Sequence, residues 1–245
     1  MIDLSQLSPM MQHYMETKKE YPDCVLFYRL GDFYEMFFDD ALTVSKELEI
    51  TLTGKDCGLS ERAPMCGVPF HALDSYLYRL VQKGYKVAIA EQMEDPRQAK
   101  GLVKREVIRV VTPGTITSSQ VLDETKNNYL MGIVYMDGIY GISTADISTG
   151  DFMVTEVDSD RELFDEINKF SPSEIICNNA FYMSGVDMDE LKNRYQVVIS
   201  ALDSRFFGEE SCRRILMEHF KVGALVGLGL EDYATGIIAA GAVMQ

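Results

Sequence analysis

Residues 30–40, LGDFYEMFFDD, place four aromatic rings and four carboxylates in eleven positions. Phe33 and Tyr34 follow directly on Gly31-Asp32, and Glu35 follows them. Two kinds of chemistry fit this pattern. Asp32 ahead of an apolar run, with Glu35 three residues later, matches a capping box: both carboxylates serve a helix N-terminus and Phe33 packs nearby. The same spacing also suits recognition. A ring held where one element passes into the next can project, stack on a nucleobase or wedge into a base step. A carboxylate two residues on is repelled by a phosphate backbone, yet it can hydrogen-bond a base whose normal pairing is broken. Such a group penalises the wrong target and is satisfied by the right one.

Other residues that could do chemistry are sparser. Cys57 and Cys66 flank a loop containing Gly and Pro, with His71 nearby, but further ligands for a metal are missing. Buried, reduced thiols are the expectation there, with His71 in a helix-start or packing role. Asp137, Asp146 and Asp151 sit in or beside predicted hairpin strands. Carboxylates gathered on one sheet could hold two Mg²⁺ ions for phosphodiester cleavage, which makes a nuclease the rival function. Asp137-Gly138 reads better as a tight turn, and Asp146 ahead of Ser148-Thr149-Gly150 also reads as turn chemistry.

The elements that position these residues follow from periodicity. SPMMQHYMETKKE predicts an opening helix and CVLFYRL (24–30) a strand. DFYEMFFDDALTVSKELE predicts an amphipathic helix with Phe37, Ala41, Val44 and Leu48 along one face. A short strand ITLT, a long loop over 54–70, a helix over 71–84 and strands in YKVAIAEQ and VKREVIRVV complete one mixed α/β unit. The polar stretch 116–127 reads as a linker. After it, three strand-like runs separated by Asp137-Gly138 and Thr149-Gly150 precede alternating helices and strands. The expected fold is therefore α/β in two domains, 1–115 and 128–245. The closing GIIAAGAVMQ is apolar with no stop signal, so the chain is expected to be a piece of a longer protein.

Composition narrows the function classes. At 47% hydrophobic and 10% aromatic, the 245 residues can bury real cores. No apolar run approaches the roughly 20 residues a membrane-spanning helix needs. The N-terminus lacks a basic region followed by an apolar core, and the five scattered cysteines form no CxxC pair. A reduced, cytoplasmic protein is expected. The net charge of −15 argues against a nucleic-acid binder at first sight, but it is uneven. Residues 1–115 hold 14 Lys+Arg against 17 Asp+Glu, a net of −3, whereas 116–245 hold 9 against 21, a net of −12. Within the first half, RQAKGLVKREVIR (97–109) carries five basic residues and one acid, and a local basic strip suffices to meet a backbone.

Longer stretches carry a resemblance. FYRLGDFYEMFFDDA, APMCGVPFHALDSYLYRLVQKGYKVAIAEQMEDP and VIRVVTPGT, in that order, resemble the N-terminal part of the MutS family of DNA mismatch repair proteins. The likeness runs over 8–115 nearly unbroken and more loosely through DIST (146–149). It implies that 1–115 is the mismatch-recognition domain and 128–245 a connector that resembles ribonuclease H in fold and lacks its activity. It implies that Phe33 stacks on a mispaired base from the minor groove, that Glu35 hydrogen-bonds that base, and that the DNA is bent. By the same resemblance Lys55 and Arg105 are candidates for phosphate contacts, with solvated surface charge the alternative for each. Arg97, Lys100 and Lys104 have weaker claims. The implied partners are mismatched double-stranded DNA and, through the connector, MutL. The full-length family protein is a dimer that binds ATP and Mg. TGKD (53–56) lacks the earlier glycine and the Ser/Thr of a phosphate-cradling loop, so no cofactor and no enzymatic activity are expected here, and this stretch alone is expected to be monomeric. A protein-docking module built on the acidic second half is a third reading.

Overall fold

The computed structural model describes residues 4–94, 101–117 and 126–245. Arg97, Lys100 and most of the expected linker lie outside these. The chain divides into two compact units, Met1–Thr112 and Pro113–Gln245.

The first unit is built on one mixed sheet. In chain order its elements are α1 (Pro9–Glu20), β1 (Cys24–Leu30), β2 (Phe33–Phe37), α2 (Phe38–Leu48), β3 (Thr53–Lys55), β4 (Ala63–Pro69), α3 (Leu73–Val81), β5 (Lys86–Gln92) and β6 (Arg105–Val111). The strands lie in the order β3-β4-β2-β1-β5-β6. β1 and β5 are parallel, and the other neighbours are antiparallel. Alternation along the strands sorts the side chains onto two faces. On one face Leu26, Tyr28, Phe37, Ala88 and Ala90 pack with Met11 and Tyr14 of α1. On the other, α2 and α3 lie against β4 and β5 and bury Val44, Leu48, Leu77 and Leu80. Asp40, nearly buried, ties three elements together. It accepts from Leu26 N at 2.9 Å, Tyr14 Oη at 3.1 Å and Lys18 Nζ at 2.9 Å. It takes up a strand amide of β1 at a level where β2 has already turned into α2.

Two local expectations are corrected. The helix predicted to begin after Asp32 begins at Phe38, and residues 33–37 form β2. Asp32 therefore caps no helix; it sits in the β1–β2 turn, where its carbonyl accepts from Phe70 N at 2.9 Å. The aromatic run supports a strand because both of its faces find partners: Tyr34 and Met36 are buried on one, Phe37 on the other. Gly31 supplies the positive φ of +59° that reverses the chain. The loop predicted over 54–70 contains β4, whose prolines lie near its ends, at 64 and 69.

The second unit holds β7 (Tyr129–Met136), β8 (Ile139–Asp146), β9 (Asp151–Val157), α4 (Asp160–Phe170), β10 (Glu174–Cys177), α5 (Asn179–Tyr182), α6 (Met188–Tyr195), β11 (Val198–Ala201), α7 (Glu209–Phe220) and α8 (Ala234–Val243). The sheet order is β11-β10-β7-β8-β9, with an antiparallel β7–β8–β9 meander and β10 and β11 running parallel to β7. With helices on both faces, this is the ribonuclease-H-like arrangement. α4, α5 and α6 bury Leu163, Ile167, Phe181 and Leu191 against Met131, Ile133 and Ile175. On the other face Ile238 and Ala239 of α8 pack on Val134 and on Cys212 of α7. α8 is apolar all round because sheet and α7 enclose it. A Cβ added at Gly141 would lie 2.3 Å from the Thr235 carbonyl carbon, so only glycine lets α8 approach β8 this closely.

Candidate nucleic-acid interface

The site is the exposed end of the first unit's α1-side sheet face. Register explains its make-up. Phe33, Glu35 and Phe37 alternate onto that face from β2, and Gly67 of β4 pairs with Glu35. Phe37 is buried under Tyr14, ring centroids 4.9 Å apart and edge to face. Phe33, four residues earlier on the same face, lies beyond the cover of α1 and is 46% exposed. A Cβ at Gly67 would lie 3.5 Å from Glu35 Cγ and 3.7 Å from Phe33 Cδ1. The missing side chain therefore keeps the surface between ring and carboxylate open and flat.

The hairpin tip that carries Phe33 is braced from behind. Arg29 lays its guanidinium 4.0 Å from the Phe70 ring centroid and 3.6 Å from a Glu91 carboxylate oxygen. Tyr34 donates its hydroxyl to the same Glu91 carboxylate. Burial, and then that hydrogen bond, push the Tyr34 phenol up to about 12, so it stays a donor at neutral pH. These contacts fix the β1–β2 turn and hold Phe33 outward.

Glu35 does not serve a helix end. Its carboxylate receives Lys55 Nζ at 2.5 Å, the two side chains being 16% and 33% exposed. Lys55 stands on β3 opposite Ala63 of β4, and its chain crosses β4 to reach β2, its ammonium lying 5.7 Å from the Phe37 ring centroid. Arg105 is placed differently from an exposed phosphate contact. It is buried, stacks 5.1 Å from the Tyr28 ring centroid, and donates Nε to Arg29 O and Nη1 to Val103 O, each at 2.7 Å. Nε thus joins β6 to β1, while Nη1 makes a local bond two residues back. Lys104 is exposed and paired with Glu106 at 2.5 Å.

The remaining candidates fall away from this surface. Cys57 belongs to the core on the α1 side, whereas Cys66 bonds the Ala41 carbonyl of α2 on the other side of the sheet, so the two thiols cannot share a ligand. His71 lies in a short 3-10 helix just ahead of α3. In the second unit Asp137 is a turn residue at φ +52°, followed by Gly138 at +84°. Asp146 is buried and fully engaged: Oδ1 accepts from Ser148 N at 2.8 Å and Ser148 Oγ at 2.6 Å, and Oδ2 from Asn128 N at 3.0 Å. Its carboxylate closes the turn after β8 and is occupied where a nuclease would need it free. Gly67 is the site residue that the sequence reading missed; only the pairing of β2 with β4 identifies it.

Comparison with known proteins identifies the family of both units. Residues 8–120 match the family model for MutS domain I, and residues 128–245 match that for MutS domain II. The chain belongs to the MutS family. A DNA mismatch repair protein MutS from Lachnoclostridium phytofermentans is 61% identical over 242 residues, covering 99% of this chain and 26% of that relative. Those from Acetivibrio thermocellus and Clostridioides difficile are 54% and 55% identical, over 99% and 94% of this chain and 28% and 24% of theirs. The chain thus spans about a quarter of the length of the MutS relatives it matches. The matched MutS domains I and II do not include the family's ATPase domain. No helix among the described residues is long and apolar enough to cross a membrane.

Proposed function

We propose that the first unit reads mismatched double-stranded DNA: Phe33 enters from the minor groove and stacks on the mispaired base, and Glu35 accepts a hydrogen bond from it. The observation that carries this is the half-exposed Phe33 ring beside a carboxylate on one open sheet face, with Gly67 leaving the space between them free. A mispaired base is already less stacked and less paired than its neighbours, so wedging a ring beside it costs less than the few kcal/mol of an intact step. Bending the duplex by tens of degrees costs roughly 1–6 kcal/mol, and a mismatch is a softer hinge. An ionised carboxylate only accepts hydrogen bonds. In an intact duplex the pairing donors are already used and the minor groove leaves only the guanine N2 amino group, so Glu35 meets chiefly repulsion from phosphates. The reader therefore senses deformability and broken pairing more than base identity, and the proposed role is recognition of errors in mismatch repair. Backbone contacts fall to Lys55. Family membership extends the proposal to MutL as a partner of the second unit, to a dimer for the full-length protein, and to a cytoplasmic setting.

The test places the fluorescent base 2-aminopurine opposite cytosine in a duplex and adds the full-length protein. Stacking on Phe33 changes its emission, and Phe33→Ala abolishes the change while a perfect duplex gives none. An unaltered signal with Phe33→Ala refutes the assignment.

A further inference from the structure

The Lys55–Glu35 pair does more than join two strands. In the free protein Oε2 of Glu35 already has a counter-ion at hydrogen-bond distance, so its negative charge is neutralised as it stands. The ammonium that neutralises Glu35 is also a charge suited to a phosphate. We propose that Lys55 is a specificity-determining residue: its ammonium is held by Glu35 until it passes to a DNA phosphate, and that transfer is favourable only where a base offers Glu35 a hydrogen-bond donor in return. The proposal rests on the reading of Glu35 as the base contact.

The electrostatics follow from the contacts. Against a perfect duplex, moving Lys55 to a phosphate leaves a bare carboxylate facing the backbone, partly buried and unpaired, so the ion pair stays closed and contributes no net charge to binding. Against a mispaired base, the carboxylate gains a new partner and the ammonium is free for the backbone. The two targets then differ by one neutralised phosphate at this position. Lys55 is not locked in place by burial, since it ends a three-residue edge strand and keeps a third of its surface in solvent.

Salt dependence counts phosphates directly, because log K falls against log salt by about 0.9 for each one neutralised on duplex DNA. The experiment measures this slope for full-length protein on a perfect duplex and on the same duplex with one G·T mismatch. The proteins compared are wild type, Lys55→Met, Lys55→Arg and Glu35→Gln, each checked for an unchanged melting midpoint. The slope for the mismatch is expected to be the steeper in wild type. Lys55→Met should shrink that gap by about 0.9 by flattening the mismatch slope alone. Glu35→Gln should shrink it from the other side, steepening the perfect-duplex slope as Lys55 is released, and Lys55→Arg should preserve the gap. Equal flattening of both slopes by Lys55→Met makes Lys55 an ordinary phosphate contact and overturns the proposal. No change in either slope makes it a purely structural partner and overturns it too. Failure of the underlying reading is distinguishable: mismatch preference that survives Phe33→Ala removes the base-reading assignment whatever Lys55 does.

Discussion

Phe33→Ala and Phe37→Ala form a matched pair, because both rings project from β2 onto the same sheet face and differ only in what covers them. Phe37 is 1% exposed and packed edge-to-face on Tyr14, so its truncation leaves a cavity in a closed core. Such a change costs roughly 3–5 kcal/mol. Phe33 is 46% exposed and open to solvent on its outer side. Full burial of a Phe side chain is worth roughly 1.5–3 kcal/mol, and with about half of that realised and no enclosed void left, Phe33→Ala should cost about 1 kcal/mol. For DNA the order reverses. Stacking one base on a ring is worth roughly 1–3 kcal/mol, so Phe33→Ala should weaken binding to a mismatched duplex by roughly 5- to 150-fold. Binding to a perfect duplex should barely change. Urea denaturation of the chain gives the first quantity; fluorescence anisotropy of full-length protein on matched and mismatched duplexes gives the second. A Phe33→Ala variant that loses as much stability as Phe37→Ala, or that still prefers the mismatch, refutes the reasoning.

Asp146→Asn should lower the stability of the second unit by roughly 1–3 kcal/mol, because an amide nitrogen would face amide and hydroxyl donors. Burial alone would raise the Asp146 carboxyl, but hydrogen bonds from Ser148, Asn128 and Thr149 outweigh it and hold it below its ordinary 3.8. Its contribution is therefore present above that value and lost as pH falls through the lower folded one, so acid titration monitored by circular dichroism should lose less in the Asn variant. Gly141→Ala should destabilise the second unit more than a surface substitution, by about 2 kcal/mol or more, since the new Cβ meets backbone of α8; a melting midpoint within experimental error of wild type would contradict this. Burial pushes the Cys66 and Cys177 thiols up to about 12 and those of Cys24 and Cys212 to about 11, and Cys57 is buried as well. A thiol reagent at pH 7.5 should label the native chain slowly and all five cysteines quickly once urea unfolds it.

Local order was legible in the residues. The strand 24–30 lies where periodicity put it, because its own pattern suffices, and the second unit follows its three-strand run with alternating helices and strands as expected. The two-domain α/β class followed from the change of rhythm near residue 116. The burial of Phe37 and Val44 matched the apolar face read from the sequence, though Phe37 sits on a strand and not on the helix expected. A capping box and a hairpin strand both begin with the same Gly-Asp-aromatic run, and only a partner chooses between them. β1 on one side and β4 on the other supplied it, and β4 itself was hidden behind its prolines. The composition of the site is thus a property of the sequence, whereas its geometry belongs to the register of the sheet. Gly67 beside Glu35, Lys55 reaching across β4, and Arg105 drawn under Tyr28 all join residues from 20 to 77 positions apart. No local pattern records such contacts, because they arise only when strands distant in the chain share hydrogen bonds.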